Sequence, residues 1–128
     1  ALPAPGADGL RLAGRDRSAE AVRAAGANLA RAGLAERAAV AQGDAFEIEP
    51  PEGPGLLVVN PPYGERLGGD AGQWRRLGDL LKRRFPGWRA AVLAGGPGLG
   101  KEIGLKPRRR IPVWNGPLEA RILVFDLY

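Results

Sequence analysis

The sequence contains no cysteine, no histidine and no methionine. The first absence excludes disulfides, cysteine-ligated zinc and a thiol nucleophile. The second removes the usual general base and the commonest metal ligand. Chemistry must therefore rest on Asp, Glu, Asn, Tyr, Lys, Arg or backbone groups, and no bound metal is expected. Long apolar runs are missing too. None approaches the ~20 residues that a membrane span needs. The N-terminus lacks the charged start and apolar stretch of a signal peptide. The expected location is cytoplasmic, with no membrane partner.

What is present is a 128-residue chain, 45% hydrophobic, long enough for one packed domain and too short for two ordinary ones. Its net charge is +5, from 19 basic against 14 acidic residues. Many basic residues lie in two stretches, 75–84 and 101–110. Such clustering suits a polyanion such as RNA. Arg76, Lys82, Arg83, Lys106, Arg108 and Arg109 are the candidate contacts. A composition rich in Arg, Ala and Gly raises the isoelectric point by itself, so charge alone leaves RNA and an ordinary solvated surface both open.

Residues 1–9 are small residues with Pro and Gly and are expected to be a linker. The remainder, 10–128, is expected to be one domain. Residues 10–14 alternate as a short strand does. Ser18 can cap a helix to about Ala32, with Val22, Ala25, Leu29 and Ala32 on its apolar face and Gly33 as its stop. Residues 38–42 fit a second strand, and PPEGPG at 50–55 a turn. The run 56–59 is continuous and apolar, as in a strand buried on both faces of a parallel sheet. Asp70 can cap a helix whose stripe is Trp74, Leu77, Leu81 and Phe85, ended by Pro86. Residues 88–94 form another strand. A glycine-rich turn, 95–100, leads to a short helix near Lys101. Residues 108–114 and 118–128 complete the pattern as a hairpin joined at Asn115-Gly116. The alternation predicts an α/β fold with a parallel sheet and a C-terminal antiparallel hairpin.

The stretch LLVVNPPYGERLG at 56–68 carries the most chemical information. An apolar strand ends in Asn60, Pro61, Pro62 and Tyr63. In open α/β sheets, ligands bind beyond the carboxyl ends of the strands. The Asn60 side chain offers one acceptor and two donors, matching an amine beside a ring nitrogen. The prolines fix the backbone and bring no N–H to compete for a shared partner. Tyr63 supplies a ring on which a base can stack. The Asn60 oxygen and a proline carbonyl can together hold the hydrogens of an exocyclic amine, whose lone pair is otherwise delocalised into its ring. That arrangement suits attack on a methyl sulfonium and needs neither His nor Cys.

NPPYGERLG resembles the catalytic motif of class I amino-methyltransferases. The form is that of bacterial large-subunit ribosomal RNA guanine-N2 methyltransferases. LGDLLKRRFPGW, AAVLAG and the terminal IPVWNGPLEARILVFDLY are similar to that family's tail, so the resemblance extends from about residue 10 onwards. It implies a Rossmann-like class I methyltransferase sheet, S-adenosylmethionine as cofactor and RNA, ribosomal in particular, as partner. GRDRS at 14–18 resembles the segment whose acidic residue binds the cofactor ribose, which makes Asp16 that residue. GDAF at 43–46 resembles the segment after the next strand. It implies Asp44 at the adenine amine, with Ala45 and Phe46 along the ring; Asn60 also borders the cofactor.

The family pattern also has a first strand and a glycine-rich loop upstream, of which only a linker-like segment is seen here. Gly95 to Gly100 follows a later strand and does not replace that loop. The expectation is a partial methyltransferase domain, weak or inactive alone. Its unpaired strand edges are open to pairing in a homodimer. The motif also serves DNA adenine-N6 and protein-glutamine methyltransferases, and a non-catalytic RNA-binding module derived from such an enzyme is a further reading. A C5-pyrimidine methyltransferase is excluded by the lack of cysteine. No G-x-x-x-x-G-K-[ST] loop of an NTPase occurs.

Overall fold

The computed structural model describes residues 11–61, 71–95 and 99–128. They belong to two compact units, residues 1–48 and 49–128.

In the first unit, β1 (Leu12–Asp16), α1 (Ala19–Arg31) and β2 (Ala38–Gln42) form a strand–helix–strand turn. The strands pair in parallel, from Leu12 opposite Ala38 to Asp16 opposite Gln42. Ser18 caps α1, its Oγ accepting the Ala21 N–H at 3.1 Å. Gly33, at φ +74°, ends it: its N–H donates to the Ala30 carbonyl and that of Leu34 to the Leu29 carbonyl. A left-handed residue is needed at this closure, so glycine stands there. The expected apolar face is only partly covered. Val22, Ala25 and Leu29 are half-buried, Ala32 is exposed, and no residue of α1 is fully buried. Two short strands and one helix enclose little volume.

The second unit holds the core. β3 (Leu56–Val59), α2 (Ala71–Arg84), β4 (Arg89–Ala94), a 3-10 helix (Leu99–Ile103), β5 (Arg109–Asn115) and β6 (Leu118–Asp126) follow in order. The sheet order is β3-β4-β6-β5, and β6 alone runs against the others. The expected hairpin is therefore present, but its second strand lies inside, between β4 and β5. Pro112 explains this. It cannot donate to a ladder on both sides, so its strand takes the edge. β6, with Leu123 and Phe125 buried, fills the interior. The hairpin loop is Gly116-Pro117, since Asn115 still pairs with Leu118. Gly116 has φ +62°, as a type II′ turn requires at its first central position.

Trp74, Leu77, Leu81 and Phe85 of the α2 segment are buried, as are Ala90, Val92 and Ala94 on β4 and Ile103. Helix and 3-10 segment meet closely at Gly78, where a Cβ would lie 1.9 Å from the Ile103 carbonyl oxygen. Phe85 meets Trp88 edge to face at 5.2 Å. Gly53 and Gly55 lie against the Trp88 ring, where a Cβ would come within 2.4 and 2.7 Å. β3 departs from expectation: Leu56 and Val58 are 57% and 72% exposed, so the strand is not buried on both faces. Among the described residues β3 pairs only with β4, which leaves one edge open.

Several basic residues serve the fold. Arg75 pairs with Glu102 and Arg84 with Glu49, each at 3.0 Å. Asp126 accepts from Arg89 Nε at 2.9 Å and from Arg108 Nη1 at 3.1 Å. Arg108, a candidate RNA contact by sequence, is thus engaged in joining strand ends. The Arg89 hydrogen bond foremost, and then Arg108, hold the Asp126 carboxyl below the ordinary aspartate value of 3.8. A depressed folded-state pKa stabilises above the unfolded pKa, and the contribution is lost as pH falls through the folded value. Carboxyl-carbon NMR of Asp126 is expected to give a midpoint below 3.8. Arg89→Ala should move that midpoint upward; an unmoved midpoint would contradict the pairing.

Candidate active site

Parallel pairing brings the ends of β1 and β2 to one side of their sheet. Asp16 closes β1, and its Oδ1 accepts the Ser18 N–H at 2.8 Å. One carboxylate oxygen is thereby oriented by the backbone, while the group itself stays exposed. The Gly43 N–H donates to the Asp16 carbonyl at 2.9 Å, and Gln42 Nε2 to the Arg17 carbonyl at 3.1 Å. These bonds tie the two post-strand loops together. The Arg15 side chain lies over Gly43, where a Cβ would fall 2.5 Å from its Nε. Glycine leaves the room that this crossing needs.

Asp44 follows at once. Its Oδ1 accepts the Phe46 N–H at 2.8 Å and caps the 3-10 turn Ala45–Glu47. Asp44 and Phe46 are half-buried and Ala45 is exposed. The structure thus brings Asp16, Asp44, Ala45 and Phe46 to the carboxyl end of one two-stranded parallel sheet. Oriented carboxylates beside a half-buried ring can accept hydrogen bonds from hydroxyls and an amine while the ring covers an apolar face. These acceptors and the ring fit the hydroxyls, amine and flat face of a nucleoside.

In the second unit, β3 runs parallel to β4, with Val59 opposite Val92. Asn60 is the next residue, exposed just beyond the carboxyl end of β3, and Pro61 beside it is half-buried. Pro62 and Tyr63 lie outside the described residues, as do Asp70 and residues 96–98 of the glycine-rich turn. An open hollow between Gly55, Trp88, Arg89, Asp126 and Tyr128 lies at the opposite, amino end of β3 and β4. It is the wrong end of the strands for a ligand site of this fold. Sequence reasoning missed Gln42, whose side chain bonds the loop after Asp16, and Arg15, whose side chain lies over Gly43. A strand ending opposite Asp16 is the signal that would have marked Gln42.

The family model described as UPF0020, RMKL-like, methyltransferase domain matches residues 5–123. The chain is 44% identical over 121 residues to a ribosomal RNA large subunit methyltransferase K/L from Allochromatium vinosum, covering 91% of this chain and 16% of the relative. It is similar in fold to TrmN from Thermus thermophilus, with a TM-score of 0.70 at 24% identity, over 91% of this chain and 36% of that one. An RNA methyltransferase from Salinibacter ruber, in complex with S-adenosyl-L-homocysteine, matches with a TM-score of 0.59 at 20% identity, over 92% of this chain and 67% of that one. The fold is thereby that of Rossmann-like class I methyltransferases. The chain spans only about a sixth of the length of its Allochromatium relative.

Proposed function

The chain belongs to the family of RMKL-like methyltransferase domains, and from that membership we propose that it serves S-adenosylmethionine-dependent methylation of an exocyclic base amine in RNA. Guanine N2 of large-subunit ribosomal RNA is the target we favour. The observation that carries the reading is Asn60-Pro61, set directly after a parallel strand with the Asn60 side chain exposed.

S-adenosylmethionine, when bound, supplies a methyl group carried on a sulfonium sulfur. Asp16, one of whose oxygens is held by the Ser18 N–H, would accept from the ribose hydroxyls. Asp44 would accept from the adenine amine, and Phe46 would supply an apolar face for the ring. Asn60 accepts one hydrogen of the base amine, and a proline carbonyl accepts the other. Holding both hydrogens turns the nitrogen lone pair out of conjugation. The proton released after transfer leaves through the amine's hydrogen-bond acceptors to solvent. By the motif resemblance, Tyr63 would offer the ring on which the base stacks.

Calorimetric titration of the full-length protein with S-adenosylhomocysteine tests the cofactor half of this reading. Asp16→Ala removes the equivalent of one hydrogen bond to a charged acceptor, worth ~1.5–3 kcal/mol. Affinity should fall roughly 10- to 150-fold, with the fold intact because Asp16 is exposed. Unchanged affinity would remove Asp16 from the site.

A further inference from the structure

Trp114 is 73% exposed. The other two tryptophans are not comparable: Trp74 is buried and Trp88 half-buried. Trp114 lies on β5, the edge strand of its sheet. Strand alternation places Arg110, Pro112 and Trp114 on one face. The β6 register sets Arg121 opposite Pro112 and Glu119 opposite Trp114, so Arg121 is diagonal to both Arg110 and Trp114 at about 7–8 Å between backbones. All five residues are exposed. Among the described residues, β5 has no partner on its outer side.

Resting on the reading of RNA as substrate, we propose that this face of β5 is a stacking platform for an unpaired base of the RNA strand, with Arg110 and Arg121 on its phosphates. An aromatic ring beside cationic side chains is the combination that single-stranded nucleic-acid sites use. A protein partner fits less well, because glutamate is depleted at protein interfaces and Glu119 stands directly opposite the ring. Glu119, directly opposite Trp114, repels phosphate. The base therefore takes the ring, and the backbone runs past the arginines. A-form duplex RNA does not offer an open base face, so an unpaired nucleotide is required.

The position agrees with this role. β5 runs parallel to β3, so Trp114 and Asn60 project at the same end of the sheet. Asn60 follows Val59, which the register aligns through Val92 and Leu123 with Arg110. Trp114 is thus three strands away, about 14 Å, and three residues further along, about 10 Å, at usual strand dimensions. One RNA strand can reach both.

The test is titration of the full chain with a dye-labelled mixed-sequence single-stranded RNA 12-mer, beside the same sequence as a duplex, with affinity read from the anisotropy of the RNA and stacking from tryptophan fluorescence. Wild type should be quenched by the single strand and much less by the duplex. Trp114→Ala should weaken single-strand binding roughly 5- to 150-fold, the range that stacking of about 1–3 kcal/mol implies. Trp114→Phe keeps a stacking ring and should retain most affinity while losing the quenching. Arg110→Ala and Arg121→Ala should each flatten the log–log salt dependence by about 0.7. Unchanged affinity and salt slope in all these variants would overturn the platform and leave the RNA reading standing. Failure of wild type to bind either RNA, with methyl transfer to a polypeptide instead, would overturn both.

Discussion

Replacing Asn60 with Ala in the full-length enzyme is expected to lower the single-turnover methylation rate ~10²–10³-fold, by analogy with removal of one transition-state hydrogen-bond donor. Cofactor affinity should change little. The size of the effect follows from the role proposed for the side chain. An exocyclic base amine is a poor nucleophile because its lone pair is shared with the ring. Two acceptors that hold its hydrogens fix the pyramidal geometry in which the lone pair is available. With Asn60 removed, only the proline carbonyl remains, and the amine relaxes into the ring plane. Binding uses base stacking and phosphate contacts and is largely spared, so the loss falls on the rate of transfer. Asn60 is exposed beyond its strand and packs nothing in the core, so the variant should fold normally. A rate within threefold of wild type under single-turnover conditions would remove Asn60 from the chemistry.

Trp74→Ala should be the most destabilising single substitution among the named residues. Trp74 is 1% exposed and heads the buried stripe of α2. Truncating a buried aromatic costs about 3–5 kcal/mol, because transfer energy is lost and a cavity remains. For a domain of ordinary stability, about 5–15 kcal/mol, that is a large fraction. Trp74→Phe separates the ring from its polar atom. The Trp74 Nε1 is buried without a hydrogen-bond partner among the described residues. Phe keeps much of the packing and removes an unsatisfied donor, itself a cost of about 1–3 kcal/mol. It should therefore unfold close to wild type in urea. Loss in Trp74→Phe equal to that in Trp74→Ala would show that the indole nitrogen contributes to stability and would contradict the orphaned donor.

The elements were largely legible in the sequence because their signals are local. Ser18 and Gly33 bracket α1 by capping chemistry alone. The apolar runs gave β2 and β3 their boundaries. The order of strands in the second sheet was less legible, since pairing is decided between distant segments. Even so, Pro112 carried the information: a proline within a strand signals an edge, which moves β6 inward. The exposure of Leu56 and Val58 could not be read from composition, because an apolar run says what a strand prefers and not what stands beside it. Strand-end positions put Asp16, Asp44 and Asn60 where the structure has them, while their proposed roles come from the motif resemblance. Trp114 was passed over as part of a hairpin. Its exposure depends on β5 taking the edge, a fact of topology rather than of local sequence.

The most direct measurement is mass spectrometry of nucleosides from large-subunit ribosomal RNA treated with the full-length enzyme and S-adenosylmethionine bearing a heavy methyl group. The account predicts one labelled N2-methylguanosine per substrate, and no label when Asn60→Ala enzyme is used for the same short reaction. Label on any other nucleoside position, or no labelled nucleoside at all, would contradict it.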